Sequence, residues 1–229
     1  MDNRPYYMAY DDRYRQVHDH NLQWFSSEAS PIVREIMDAF LIAESHQILE
    51  IGCGEGRDAF PLLKAGFDLT ASDVSAEAVG YCRKMFPEYA DHFQVLDCLT
   101  EKLDRQFDFI FAVAVIHMLV PDRDREAFYA FVRQHLNPWG TALICTMGDG
   151  VSERRSDISA AFEMQERVHE QSGRDLRVAG TSCRIVSFDT FAAELQQSGL
   201  EIVRQGMTEV PPDFPQMMYA VVRRPEQNV

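Results

Sequence analysis

The sequence predicts an α/β fold, a doubly wound, seven-stranded, largely parallel sheet with helices on both faces. Three observations carry that expectation. Short apolar runs alternate with helix-competent segments through most of the chain, as in repeated strand–helix–strand units. The run Phe107–Val115 is apolar almost without a break, which suits a strand buried on both faces. And the first strand-like run, Gln47–Ile51, ends in the glycine-spaced loop Gly52-Cys53-Gly54-Glu55-Gly56.

In chain order, Ser30-Pro31 reads as an N-cap followed by proline at the first helical position, starting a helix to about Phe40. After the glycine loop a helix is expected from about Arg57 to Ala65, stopped by Gly66. Phe67–Ser72 is the second strand, with Asp73 at its end, and Ser75–Met85 a helix closed by Phe86-Pro87. Phe93–Leu96 is the third strand, tipped by Asp97, and Phe107–Val115 the fourth. Pro121–Leu136 reads as a helix with acids early and Arg133 and His135 late, which suits its dipole. Asn137-Pro138-Trp139-Gly140 reads as a turn before a fifth strand, Thr141–Met147. Residues 151–186 interrupt the rhythm with a polar helix over about Ser156–Gln171, then Val178–Val186. A helix at Phe188–Ser198 and strands at Leu200–Gln205 and Met217–Val222 complete the chain. With no repeat or linker, residues 1–229 form one domain: an N-terminal helical lid (1–40), a core (45–147) and a cap insertion (151–186).

The chain has 229 residues, 46% of them hydrophobic, enough for a sizeable core. A formal charge of −14 opposes nucleic acid as a partner. It equally serves plain solubility. The longest apolar run falls short of a membrane span, the N-terminus lacks the apolar segment of a secretory signal, and five scattered cysteines contain no C-x-x-C pair. A reducing cytoplasm and no metal are the resulting expectations.

The glycines permit a tight turn and close backbone approach to a ligand, and the helix that follows offers N–H groups toward it. Asp73, about 20 residues on, is placed to accept hydrogen bonds from ribose hydroxyls. Together they point to an adenosine-containing cofactor. Dinucleotide sites use G-x-G-x-x-G, whereas this chain has G-x-G-x-G with Glu50 two residues earlier. A carboxylate there suits a zwitterion carrying an ammonium better than a pyrophosphate.

At these residues the chain resembles the class I S-adenosylmethionine (SAM) methyltransferases, whose first motif, [DE]-x-G-x-G-x-G, is matched by Glu50 to Gly56. The resemblance covers roughly residues 45–147. It implies a Rossmann-like sheet, SAM as cofactor and S-adenosylhomocysteine (SAH) as product. It implies a cofactor site of Glu50, Gly52, Cys53, Gly54 and Gly56, with Asp73 on the ribose, Val74 near adenine, Asp97 and the Cys98 N–H at the adenine edge, and Val113 at the methionine ammonium. Leu136-Asn137-Pro138-Trp139-Gly140 departs at Trp139 from the family's Leu-x-Pro-Gly-Gly. The Asn/Asp-Pro-Pro-aromatic motif of amide and nucleobase N-methyltransferases is replaced by Ala112-Val113-Ala114-Val115-Ile116-His117.

The acceptor side is less defined. His117 follows the fourth strand, as a base or as packing. Tyr10 and Tyr14, spaced i, i+4, with Trp24, suit a lid over the cofactor or an aromatic docking helix; Tyr14 is also a catalytic candidate. Arg174, Arg177 and Arg184 in the cap are candidate carboxylate holders, Arg184 foremost, with Tyr219 an addition. The segment from Thr181 to Arg184, with the final strand, resembles small methyltransferases of modified-peptide biosynthesis, which implies a peptide C-terminal carboxylate. The expected activity is O-methylation of a carboxylate or hydroxyl on a small molecule or peptide. N- or S-methylation, and a non-catalytic SAM-binding subunit, are the alternatives. The oligomeric state is not encoded in these motifs.

Overall fold

The seven-stranded sheet grows outward from strand β4 (Phe107–Val113), buried throughout except at Asp108. A computed structural model describes residues 4–225. There β4 pairs in parallel with β1 (Gln47–Ile51) on one side and β5 (Leu136–Met147) on the other. Beyond β1 lie β2 (Asp68–Asp73) and β3 (Phe93–Val95), also parallel. Beyond β5, β11 (Phe214–Arg223) runs antiparallel to both β5 and β10 (Glu201–Val210). The order is β3-β2-β1-β4-β5-β11-β10. Successive strands step one way from β1 and the other way from β4, which opens a crevice at their carboxyl ends.

Side-chain alternation divides the core in two. Ile48, Phe109, Phe111 and Leu143 face α2 (Pro31–Ala39), α3 (Ala59–Lys64) and α4 (Ala76–Met85). Leu49, Ile110, Ala112 and Ile144 face α5 (Asp122–His135) and α6 (Phe188–Gln197). This period of two, with helices on both faces, is why the central strands read as unbroken apolar runs.

Local chemistry corrects several expected boundaries. Ser75 caps α4, its Oγ accepting from the Ala78 N–H at 3.0 Å. Ser30 does not cap α2 with its side chain; its N–H and hydroxyl instead donate to Asp58 at 2.6 and 2.8 Å. The helix after the glycine loop starts at Ala59, two residues later than expected, and is only six residues long. The expected turn at 137–140 is a bulge inside β5, between the Leu136–Phe107 and Thr141–Phe109 pairs. Gly140 is needed there, since a Cβ would lie 2.9 Å from the Phe107 carbonyl oxygen.

The largest correction falls on the cap. In place of a helix over 156–171, residues 151–186 form short antiparallel ribbons. β6 (Arg154–Arg155) pairs with β9 (Arg184–Ile185), and β7 (Met164–Val168) with β8 (Asp175–Ala179). Leu176 and Val178 alternate inward, packing on Val17 of helix α1 (Ala9–His18). That period-two pattern decides for strand over the helix-favouring composition of Met164–Val168.

Candidate active site

The crevice holds a cavity of about 390 Å³ at the carboxyl ends of β1, β2 and β4. Its floor is the glycine loop. Gly52, Gly54 and Gly56 have φ of 75°, 52° and 83°, a region that disfavours other residues. A Cβ on Gly52 would stand 2.3 Å from Val115 Cγ2, and one on Gly54 2.7 Å from the Tyr14 hydroxyl. The N–H groups of Gly52 and Cys53 both donate to the Ser72 carbonyl, at 2.7 and 2.9 Å, which ties the loop to β2.

Asp73 ends β2 beside that loop. It accepts from the Gly54 and Ser75 N–H groups at 2.8 Å each. Burial raises its pKa to about 6 against the lowering effect of those donors. Each oxygen keeps lone-pair capacity for a ligand hydroxyl. Glu50 is also buried, and its Oε2 has no hydrogen-bond partner. Burial, with Asp58 nearby, pushes its pKa well above the ordinary value. Such an orphaned acid is costly unless a ligand donor satisfies it.

The same cavity is lined by Glu50, Cys53, Asp73, Val74, Asp97, Cys98 and Val113 with the loop glycines, and by Tyr10 and Tyr14 from the N-terminal segment. Asp97 is already engaged: one oxygen accepts from the Tyr7 hydroxyl at 2.9 Å and the other from the Leu99 N–H at 3.0 Å. Tyr14 lies on this side alone, and burial raises its phenol pKa well above the ordinary value. It is a proton donor rather than a base. The short helix α3 contributes little dipole here, contrary to the expectation for a helix starting near Arg57.

The N-terminal segment is fastened to the core by residues outside the matched motif roles. Buried Glu55 accepts from the Trp24 N–H at 2.9 Å and the Phe25 N–H at 3.1 Å, and meets His18 Nε2 at 2.9 Å. His18 Nδ1 faces Glu77 at 2.7 Å, and its ring stacks on Tyr81. Burial opposes charge on His18, yet the two carboxylates outweigh it and raise its pKa. A carboxylate faces each ring nitrogen, which favours the protonated ring. Asp11 adds a second fastening by accepting from the Ser75 hydroxyl at 2.8 Å and the Glu77 N–H at 3.0 Å. In sequence, the signal for this was Glu55 itself, a charged residue inside a glycine loop.

A second cavity of about 750 Å³ adjoins the first. Tyr10, Phe25, Met118 and Phe214 line both, so the junction is aromatic and apolar. Trp24 lines this second cavity, not the cofactor side, with its indole under the Arg13 guanidinium at 4.6 Å. His117 also faces it. Burial, then Arg125, lowers the His117 pKa to about 3, and Nδ1 has no partner. The ring is neutral near pH 7 and a weak base.

The other acceptor-side candidates lie elsewhere. Arg174 and Arg177 are exposed on the β7–β8 hairpin and line neither cavity. Arg184 donates to the Val120 carbonyl at 2.8 Å and pairs with Asp122 and Glu194, joining the cap to α5 and α6. Its strand-like flank does fix its direction, but away from the cavity. Tyr219 is buried in the β11 core, where its hydroxyl accepts from Arg204 Nε at 3.0 Å. The cap arginines that line the second cavity are Arg154 and Arg167. Among the described residues, no group of three His, Cys, Asp or Glu side chains is arranged to hold a metal ion.

Residues 48–140 match a family model described as "Methyltransferase domain". Among curated proteins, Hemagglutinin 1 of Eikenella corrodens is 35% identical over 44% of this chain and 34% of its own length. The ubiquinone biosynthesis O-methyltransferase of Rickettsia prowazekii (strain Madrid E) is 29% identical over 51% of this chain and 46% of its own. The chain thus spans half or less of the curated relatives it matches. Among solved structures, the glycopeptide N-methyltransferase MtfA complexed with SAM superposes with a TM-score of 0.65 at 22% identity, over 89% of this chain and 91% of that one. The residues present fit SAM. A glycine floor leaves no room for a Cβ, a buried diol acceptor stands at Asp73, and an orphaned carboxyl oxygen at Glu50 meets the need of an ammonium. Residues 48–140 therefore match a methyltransferase domain, and the chain has the fold of the class I SAM-dependent methyltransferases.

Proposed function

We propose that this protein methylates an oxygen of a small acid or peptide, and a carboxylate in preference to a hydroxyl. The observation that carries this reading is His117, the imidazole beside the aromatic junction. Its pKa near 3 leaves it nearly powerless as a general base at neutral pH. A carboxylate is already ionised there and needs only positioning, whereas an alcohol, a phenol or an ammonium must first lose a proton. The likeness to an O-methyltransferase of ubiquinone biosynthesis supports oxygen as the acceptor atom.

Bound SAM supplies an electrophilic methyl group on a sulfonium. The protein's part is placement. Asp73 and Glu50 would hold the ribose hydroxyls and the ammonium by hydrogen bonds, and the glycine loop would let the backbone approach. Tyr10, Phe25, Met118 and Phe214 keep water from the junction, and the neutral His117 can accept or donate one hydrogen bond to orient the acceptor.

The test has two stages. Calorimetry with SAH, with NAD as control, should give micromolar binding of the first only. Methyl transfer from labelled SAM to a panel of acids should then yield products that release methanol in mild alkali, as esters do. Alkali-stable methyl products would replace the carboxylate reading with a hydroxyl, amine or thiol acceptor.

A further inference from the structure

The second cavity separates two environments. Its inner end, shared with the cofactor cavity, is Tyr10, Phe25, Met118 and Phe214. Arg154 and Arg167 line the second cavity only, and they come from two different ribbons of the cap, β6 and β7. Elsewhere in this acidic protein, arginines are largely consumed by carboxylates: Arg57 by Asp213, Arg125 by Glu194, Arg184 by Asp122 and Arg204 by Glu35. Arg154 has no such partner among the described residues, and Arg167 only the Gln165 amide oxygen at 3.0 Å. Arg13, in the same wall, spends its donors on the carbonyls of Ala179 and Gly180.

From this we infer that Arg154, aided by Arg167, binds an anionic group of the acceptor that is not the group methylated. The inference rests on the methyltransferase reading above. The acceptor is then bipolar, its reacting oxygen at the aromatic junction and a separate carboxylate held at the cap. A guanidinium fork suits a planar carboxylate, and an arginine on the reacting oxygen itself would suppress its nucleophilicity. A carboxylate fits better than a phosphate, because Asp157 and Glu170 line the same cavity and repel a dianion more strongly.

The full-length protein saturated with SAH would be titrated with aromatic dicarboxylic and hydroxycarboxylic acids, their carboxamides and matching phosphate monoesters. At least one acid should bind about tenfold more tightly than its carboxamide and its phosphate counterpart, the scale of a charge-assisted contact. Arg154→Ala should erase that preference and Arg154→Lys retain part of it. The SAH affinity of both variants should stay at the wild-type value, since Arg154 is exposed and outside the cofactor cavity. Equal binding of acids and carboxamides, tighter binding of phosphates, an unchanged preference in Arg154→Ala, or no acid bound at 10 mM (about the weakest useful affinity) would each overturn the assignment. Failure to bind SAH would instead overturn the parent reading.

Discussion

The cofactor half and the cap half of this molecule are built on different principles. On the cofactor side, ligand-facing groups sit on loops that leave the ends of buried parallel strands, and backbone geometry fixes them. Gly52, Gly54 and Gly56 have positive φ, and Asp73 is locked by two backbone N–H donors. On the cap side, strands β6 and β7 carry exposed side chains at every position. The first half admits little variation without loss of its ligand. The second can change its side chains while its framework stands, which suits a surface that selects an acceptor.

The largest expected effect lies on the cofactor side. Gly52→Ala adds a Cβ where Val115 already is and forces alanine into a positive φ, at a strain of about 1–3 kcal/mol before the clash. SAH binding should disappear from a calorimetric titration up to millimolar ligand, with secondary structure by circular dichroism retained. Glu55→Ala comes next. It leaves the Trp24 and Phe25 N–H groups and His18 Nε2 without their acceptor, about 1–3 kcal/mol of lost attachment of the N-terminal segment. Hydrogen exchange should quicken in residues 9–25 and not in β4; uniform protection would show that the lid has other, sufficient fastenings.

The third effect is on pH. Burial pushes the Asp73 carboxyl up to about 6, and ribose hydroxyls donate best to its ionised form. Affinity for SAH should therefore fall as the pH drops through about 6, by about tenfold per unit at most for Asp73. Asp73→Asn should flatten that profile. The smallest effects belong to the cap. Arg184→Ala should cost about 1 kcal/mol of stability in urea unfolding, because its partner Asp122 is 74% exposed in its side chain, and leave SAH affinity alone. Arg174→Ala should change neither by more than about 0.5 kcal/mol. A cap substitution that abolished SAH binding would break the division between the halves.

The same division explains what could be read in advance. Positive-φ glycines and acids at strand ends are dictated by local backbone geometry, so Glu50 to Gly56 and Asp73 carry their meaning in the sequence. The apolar alternation that orders the sheet is equally local. The cap is not. Met164-Gln165-Glu166-Arg167-Val168 is a helix-favouring string that becomes a strand only because Leu176 and Val178 must meet Val17, and Gly173 turns the chain at a φ of 66°. The arginines follow the same rule. Whether Arg184 or Arg154 faces the cavity depends on Asp122 and Glu194 lying within reach of the one and not the other, a long-range fact. The lid clasp stayed hidden likewise, since His18 and Glu77 are far from Glu55 in sequence.

Tyr10 and Phe25 belong to the walls of both cavities. The acceptor chamber therefore has its full shape only while the N-terminal segment is clasped down, and that clasp encloses the cofactor. On the methyltransferase reading proposed above, the acceptor would find its chamber complete only after SAM is seated, so that helix α1 would couple the two binding events.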